Sequence, residues 1–170
     1  IEHIHVSERG RFGVTRLSAA DEEVPALGYV VANRLIGAAW LDALKDSSAE
    51  LITPAIVQAY RVHADGVSVQ IRENDAQREL RARLLVAADG THSVLRQLAD
   101  IGVHARDYGQ TAIIANLTPG RDHGGVAYER FTDEGPIALL PMSEGRCALV
   151  WTRPADQVDV TLALNDADFL

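Results

Sequence analysis

Apolar and polar residues alternate from the first positions, His3-Ile4-His5-Val6, and apolar positions resume at Phe12, Val14 and Leu17. That period of two predicts a hairpin over residues 1–17, turning at Glu8-Arg9-Gly10. Asp21-Glu22-Glu23 followed by Pro25 predicts a loop. The period then lengthens: Ile36, Trp40, Ala43 and Leu44 fall at i, i+4, i+7 and i+8, one apolar face of a helix of about three turns. Asn33 is the predicted N-cap, after a Tyr29-Val30-Val31 strand, and Ser47-Ser48 close the helix.

Residues 51–88 read as a β-meander: Leu51 to Thr53, Ile56 to His63, a turn at Asp65-Gly66, Val67 to Arg72, a polar turn near Asn74-Asp75, and a last strand. The last strand, Leu84-Leu85-Val86-Ala87-Ala88, is apolar without alternation, as expected for a strand covered on both faces in a parallel sheet. It ends at Asp89-Gly90, after which Thr91 or Ser93 caps a short helix carrying Val94, Leu95 and Leu98. Four more strands follow, Thr111 to Leu117, Gly125 to Phe131, Pro136 to Pro141 and Arg146 to Thr152, which predict an antiparallel sheet. Asn165 to Leu170 reads as the opening of a helix. Repeats are absent.

Composition narrows the functional classes. With 47% hydrophobic and 24% charged residues the chain can bury a core, and 170 residues suit one domain or one domain plus part of another. A net charge of −8, with basic residues scattered among acids, argues against nucleic-acid binding. The single cysteine, Cys147, sits in an alternating stretch and is read as a small buried hydrophobe, which fits a reducing cytoplasm. No apolar run approaches the ~20 residues of a bilayer span, so membrane contact is expected to be peripheral. The chain opens on Ile1 in mid-strand and stops in mid-helix, and is expected to be a piece of something longer.

Two Asp-Gly pairs differ in context. Asp65-Gly66 lies between alternating strands and is a hairpin turn. Asp89-Gly90 instead joins an apolar strand to a helix, where a glycine admits close backbone approach and free amides at the helix N-terminus attract anions; a pyrophosphate is expected there. His3 and His5 share a strand face but fall short of a metal-ligand set. Glu129 and Asp133 form no acid/base pair, and Ser93 lacks a Gly-x-Ser-x-Gly elbow.

The segment Leu84-Leu85-Val86-Ala87-Ala88-Asp89-Gly90-Thr91-His92-Ser93 resembles the Asp-Gly fingerprint of the para-hydroxybenzoate-hydroxylase-like flavoprotein monooxygenases. Gly28 to Arg34, Tyr128 to Thr132, Gly135 to Met142 and Gly145 to Trp151 narrow the resemblance to the ubiquinone-biosynthesis hydroxylases, most closely their 2-octaprenyl-6-methoxyphenol hydroxylase branch. The resemblance implies an α+β fold: an antiparallel substrate-domain sheet plus part of a Rossmann-like FAD domain. The implied divisions are a substrate-domain hairpin over 1–27, an FAD-domain segment over 28–104 and a substrate-domain sheet over 105–170. It further implies FAD with NAD(P)H as reductant, a polyprenylated phenol as substrate, and contact with other ubiquinone-biosynthesis proteins at the inner membrane.

Carried over by position, Asp89 and Gly90 lie beside the flavin, Arg34 lies near it, and Phe131, Leu139 and Pro141 form an apolar wall of the phenol pocket. The helix after Arg34 carries Gly37-Ala38-Ala39 where relatives have a Gln-Arg pair, which removes one expected flavin contact. No Gly-x-Gly-x-x-Gly occurs in the chain, and the family's later Gly-Asp motif is absent, so the 170 residues alone are expected to bind FAD weakly or not at all and to be inactive. Bare apolar surface makes dimerisation a further expectation. Two other readings stand beside this one: a non-catalytic β-rich module for an apolar ligand or partner subunit, and a flavin monooxygenase of another aromatic.

Overall fold

The computed structural model describes residues 1–170, which divide into two compact units, residues 1–38 with 107–170 and residues 39–106. In chain order the elements are β1 (His3–Glu8), β2 (Val14–Ser18), α1 (Asn33–Lys45), β3 (Ala55–His63), β4 (Gly66–Glu73), β5 (Ala76–Ala82) and α2 (Val94–Leu98). They continue with β6 (Gln110–Leu117), β7 (Val126–Phe131), β8 (Ile137–Pro141), β9 (Cys147–Pro154), α3 (Val158–Leu162) and α4 (Asp166–Phe169). The α+β expectation holds.

The first unit is built on a six-stranded sheet of order β2-β1-β7-β8-β9-β6. The expected hairpin is β1–β2, and the four late strands appear where the alternation put them. The sheet is mixed, since β1 runs parallel to β7 (His3 beside Val126, Glu8 beside Phe131) while every other pairing is antiparallel. That pairing joins segments far apart in sequence and leaves no local signal.

Strand alternation assigns the side chains to two faces. One carries Ile113, Pro141, Cys147 and Leu149, all buried, and the C-terminal helices lie against it. Trp151 meets the Phe169 ring at 5.6 Å, and the Arg153 guanidinium stacks over Trp151 and donates to Gln157 Oε1. Cys147 is 6% exposed, and burial pushes its thiol pKa up, so it is the inert apolar filler expected. The opposite face carries Val6, Ala127, Glu129, Phe131, Ala138, Val150 and Ile114, and stays open in places: Ile114 is 72% exposed.

In the second unit β3, β4 and β5 form an antiparallel meander. Its core is Val67, Val69 and Ile71 on β4, packed by Ile52, Val57, Tyr60, Leu80 and Leu85. Three expectations shift here. Leu51 to Thr53 is not a strand. The third meander strand is β5, whose polar sequence, with only Leu80 half-buried, suits an edge. Residues 84–88 pair with no strand: Leu85 packs on the β4 core while Leu84 and Val86 are 74% and 69% exposed. A strand of a parallel sheet needs neighbours on its edges, and none of the 170 residues supplies one.

Helix α1 runs across the division. Its first turn closes on the Ala32 carbonyl, which accepts from Leu35 and Ile36, so Asn33 is the first helical residue and Ala32 occupies the cap. Residues 29–31 are not a strand. The predicted apolar stripe exists but is uncovered: no residue of α1 is buried, and Trp40 is 71% exposed.

Ile71, 4% exposed at the centre of the meander core, sets a stability test. Ile71→Ala should cost about 2–5 kcal/mol in denaturant unfolding. Val62→Ala, on the exposed end of β3, should stay within about 0.5 kcal/mol.

Candidate functional site

The Asp89-Gly90 junction is organised by a single carboxylate. Asp89 Oδ1 accepts the Ser93 hydroxyl at 2.5 Å, and Oδ2 accepts the backbone amides of Val94 at 2.8 Å and Leu95 at 3.2 Å. Ser93 in turn caps α2 by accepting from the Arg96 amide at 3.0 Å, and its own amide donates to the Gly90 carbonyl at 3.1 Å. The sequence offers the reasons: a small acceptor four residues before the helix cap, a serine at the cap, and a glycine to reverse the chain between them. Gly90 adopts φ 84°, a left-handed conformation that favours glycine.

This network corrects one expectation. The amides at the start of α2, read from sequence as free for a pyrophosphate, are taken by Asp89 and Ser93. The junction therefore presents a fixed turn, not an empty anion cradle. What stays open is the backbone of Gly90, where a Cβ would meet no atom within 4 Å. Gly90 also lines an apolar groove of about 580 Å³ within this unit, with Leu84, Leu85, Ala87, Leu95 and Ile101.

The Ser93 hydroxyl, with the Leu95 and Val94 amides, holds the Asp89 pKa below the usual carboxylate range. A lowered folded-state pKa means that the ionised form stabilises the turn above the unfolded value of about 3.9, and that this contribution is lost as pH falls through the lower folded value.

Arg34 lies in the first turn of α1, exposed and without a hydrogen-bonding or ionic partner. Leu139 and Pro141 sit on β8, half-buried and buried, on the sheet face that the C-terminal helices cover. Phe131, 49% exposed at the end of β7, belongs by alternation to the opposite face with Glu129. The three expected wall residues therefore do not form one surface. Glu129, which forms no acid/base pair with Asp133, carries a further signal: it is an acid flanked at i±2 by Ala127 and Phe131 in a strand.

A mixed sheet flanked by few helices, a separate β-meander and a strand-like segment ending in an Asp-Gly turn define the architecture of the para-hydroxybenzoate-hydroxylase-like flavoprotein monooxygenases. Solved structures agree on the fold: Pseudomonas aeruginosa PqsL, described as a probable FAD-dependent monooxygenase, matches with TM-score 0.78 over 96% of this chain and 45% of its own, at 20% identity. Klebsiella pneumoniae HpxO, complexed with FAD and uric acid, matches with TM-score 0.75 over 96% and 44%, also at 20% identity.

Residues 39–161 match the family described as FAD binding domain, and the chain belongs to it. Among curated relatives, ubiquinone hydroxylase UbiL of Rhodospirillum rubrum is 43% identical over 84% of this chain, and the 3-demethoxyubiquinol 3-hydroxylase of Escherichia coli is 34% identical over 78%. The resemblance to ubiquinone-biosynthesis FAD hydroxylases is thus borne out. The chain spans about a third of the length of these relatives (33% and 34%). No helix is long and apolar enough to cross a membrane.

Two measurements check the turn. Ser93→Ala should cost about 1 kcal/mol in thermal or denaturant unfolding, the usual cost of losing a serine cap. The Asp89 carboxyl resonance, followed by NMR, should titrate below an ordinary aspartate, and Ser93→Ala should move its midpoint back up.

Proposed function

We propose that this chain is part of an FAD-dependent monooxygenase that hydroxylates the aromatic ring of a polyprenylated phenol, with NAD(P)H as reductant and O2 as oxidant. The observation that carries the reading is the Asp89-Gly90 turn, rigidly tied to α2 and open at the Gly90 backbone, in a chain of the FAD-binding family. Residues 28–104 are the flavin-domain segment, and residues 1–27 and 105–170 belong to the substrate domain.

The residues present fit a flavin in part. In the second unit Gly90 offers its backbone amide at open approach, its carbonyl being taken by Ser93; in the first unit Arg34 offers a guanidinium free of internal partners. Asp89 serves by holding the turn, and the α2 amides are not available to phosphate. The bound flavin supplies the redox and oxygen chemistry. This chain's share is to position the ring and to exclude water from the reacting atoms, which explains the lack of a nucleophile–base arrangement. Leu139 and Pro141 back the substrate-domain sheet, and Phe131 stands on its open face.

The names of the relatives support a ubiquinone precursor as substrate. Other proteins of that synthesis, or a second copy of the chain, are proposed partners for the uncovered apolar residues of α1 and 84–88. A cytoplasmic protein peripheral to the inner membrane would meet a prenylated substrate at the bilayer surface.

The complete gene product should purify yellow with FAD, oxidise NAD(P)H faster when 2-prenylphenol is added, and yield a product heavier by one oxygen atom. Residues 1–170 alone should bind FAD weakly or not at all. FAD binding by the complete product without any phenol-dependent NAD(P)H oxidation would contradict the hydroxylase reading.

A further inference from the structure

Glu129 occupies an unusual place for a carboxylate. The sheet register sets it in a row of Val6, Glu129, Ala138, Val150 and Ile114, one residue from each of β1, β7, β8, β9 and β6. Along its own strand the neighbours on that face are Ala127 and Phe131. It is half-buried, and it has no hydrogen-bond or ion-pair partner.

No strand residue on this face is a cation. By alternation Arg130, Arg153, His3 and His5 point to the opposite side, and β2, β6, β8 and β9 contribute no titratable side chain here. The other ionisable groups nearby are Glu8, beside Phe131 at the end of β1, and Arg11, whose guanidinium pairs with Glu8 at 3.6 Å. Burial among apolar neighbours pushes the Glu129 carboxyl pKa up. A polar group set in an apolar surface without a partner is costly, and in a native protein it calls for an explanation.

The surroundings say what would satisfy it. Ala127, Ala138 and Ala148 have short side chains and leave a low floor, while Phe131 and Leu140 rise beside it. A flat apolar body carrying one hydrogen-bond donor suits such a floor better than a peptide, whose many polar groups would go unmet. We propose that Glu129 is a substrate-binding residue: it accepts the hydrogen bond of the phenolic hydroxyl of an aromatic ring laid against the Ala127–Ala138–Ala148 face. This rests on the hydroxylase reading for the identity of the ring, and it assigns the substrate to the Glu129 face of the sheet, not to that of Leu139 and Pro141. Holding the hydroxyl fixes which ring carbons face the reacting oxygen, so the residue sets regiospecificity by orientation.

The test uses the complete gene product, with 2-prenylphenol and its methyl ether as probes, the ether having the same body and no donor. Binding is measured by calorimetry, with and without FAD. The wild type should prefer the phenol by about tenfold or more, as a hydrogen bond to a charged acceptor allows. Glu129→Leu should remove that preference by weakening the phenol alone, with unchanged FAD content and thermal stability. Glu129→Gln should keep part of the preference but lose its pH dependence; in the wild type the preference declines as pH falls through the raised pKa of Glu129.

An undiminished preference in Glu129→Leu overturns the inference while leaving the flavin reading intact. Equal loss of both probes, or a marked fall in thermal stability that would reveal a cation paired with Glu129 in the complete protein, overturns it as well. A protein that fails to hold FAD yet discriminates the probes through Glu129 contradicts the flavin reading and leaves this assignment standing.

Discussion

One carboxylate fixes the junction on which the functional account turns. Asp89 gathers a hydroxyl and two backbone amides from the next six residues, and so closes the chain around Gly90 before α2 begins. A five-residue helix has little intrinsic stability, because each end leaves donors or acceptors unmet and nucleation is costly. Asp89 and Ser93 meet those donors directly, and the buried Leu95 anchors the other side. The acidic residue of the fingerprint is thereby a structural clamp, and the glycine beside it is the position that faces outward.

A second constraint is the uneven covering of apolar surface. The β4 core and the helix-covered face of the six-stranded sheet are packed, yet Trp40, Leu84, Val86 and Ile114 stand largely open. Single exposed apolar residues are ordinary, but here they coincide with whole elements: an amphipathic helix with no buried residue and a segment that pairs with no strand. The chain covers about a third of the length of its curated relatives (33% and 34%). Within this setting Glu129 is the exception, a carboxylate without a partner among Val6, Ala138, Ala127 and Phe131.

Much of the fold was legible because strand alternation and helical periodicity are local signals. β1, β2, β4 and β6 to β9 appear near their expected places, as does the stripe of α1. What failed was set by strand pairing, which local pattern does not carry. The Leu84 to Ala88 run has a buried strand's composition but no neighbouring strand, and the polar β5 is a strand only because β4 pairs with it. The parallel β1–β7 pairing has no local signature. At the site, the Asp-Gly pair is visible in the sequence but its bonding is not: residue types predict an anion site at a helix N-terminus, whereas the protein's own Asp89 carboxylate fills it. Glu129 was read as an isolated acid because its significance depends on four neighbouring strands.

The most direct measurement of the central claim is amide hydrogen exchange over residues 89–96 in the complete gene product, with and without FAD. Val94 and Leu95, already bonded to Asp89, should be protected in both states, and protection at Gly90 and Thr91 should rise when the flavin binds. Exchange at Gly90 and Thr91 that is indifferent to FAD, with new protection appearing only at the α2 amides, would contradict that claim.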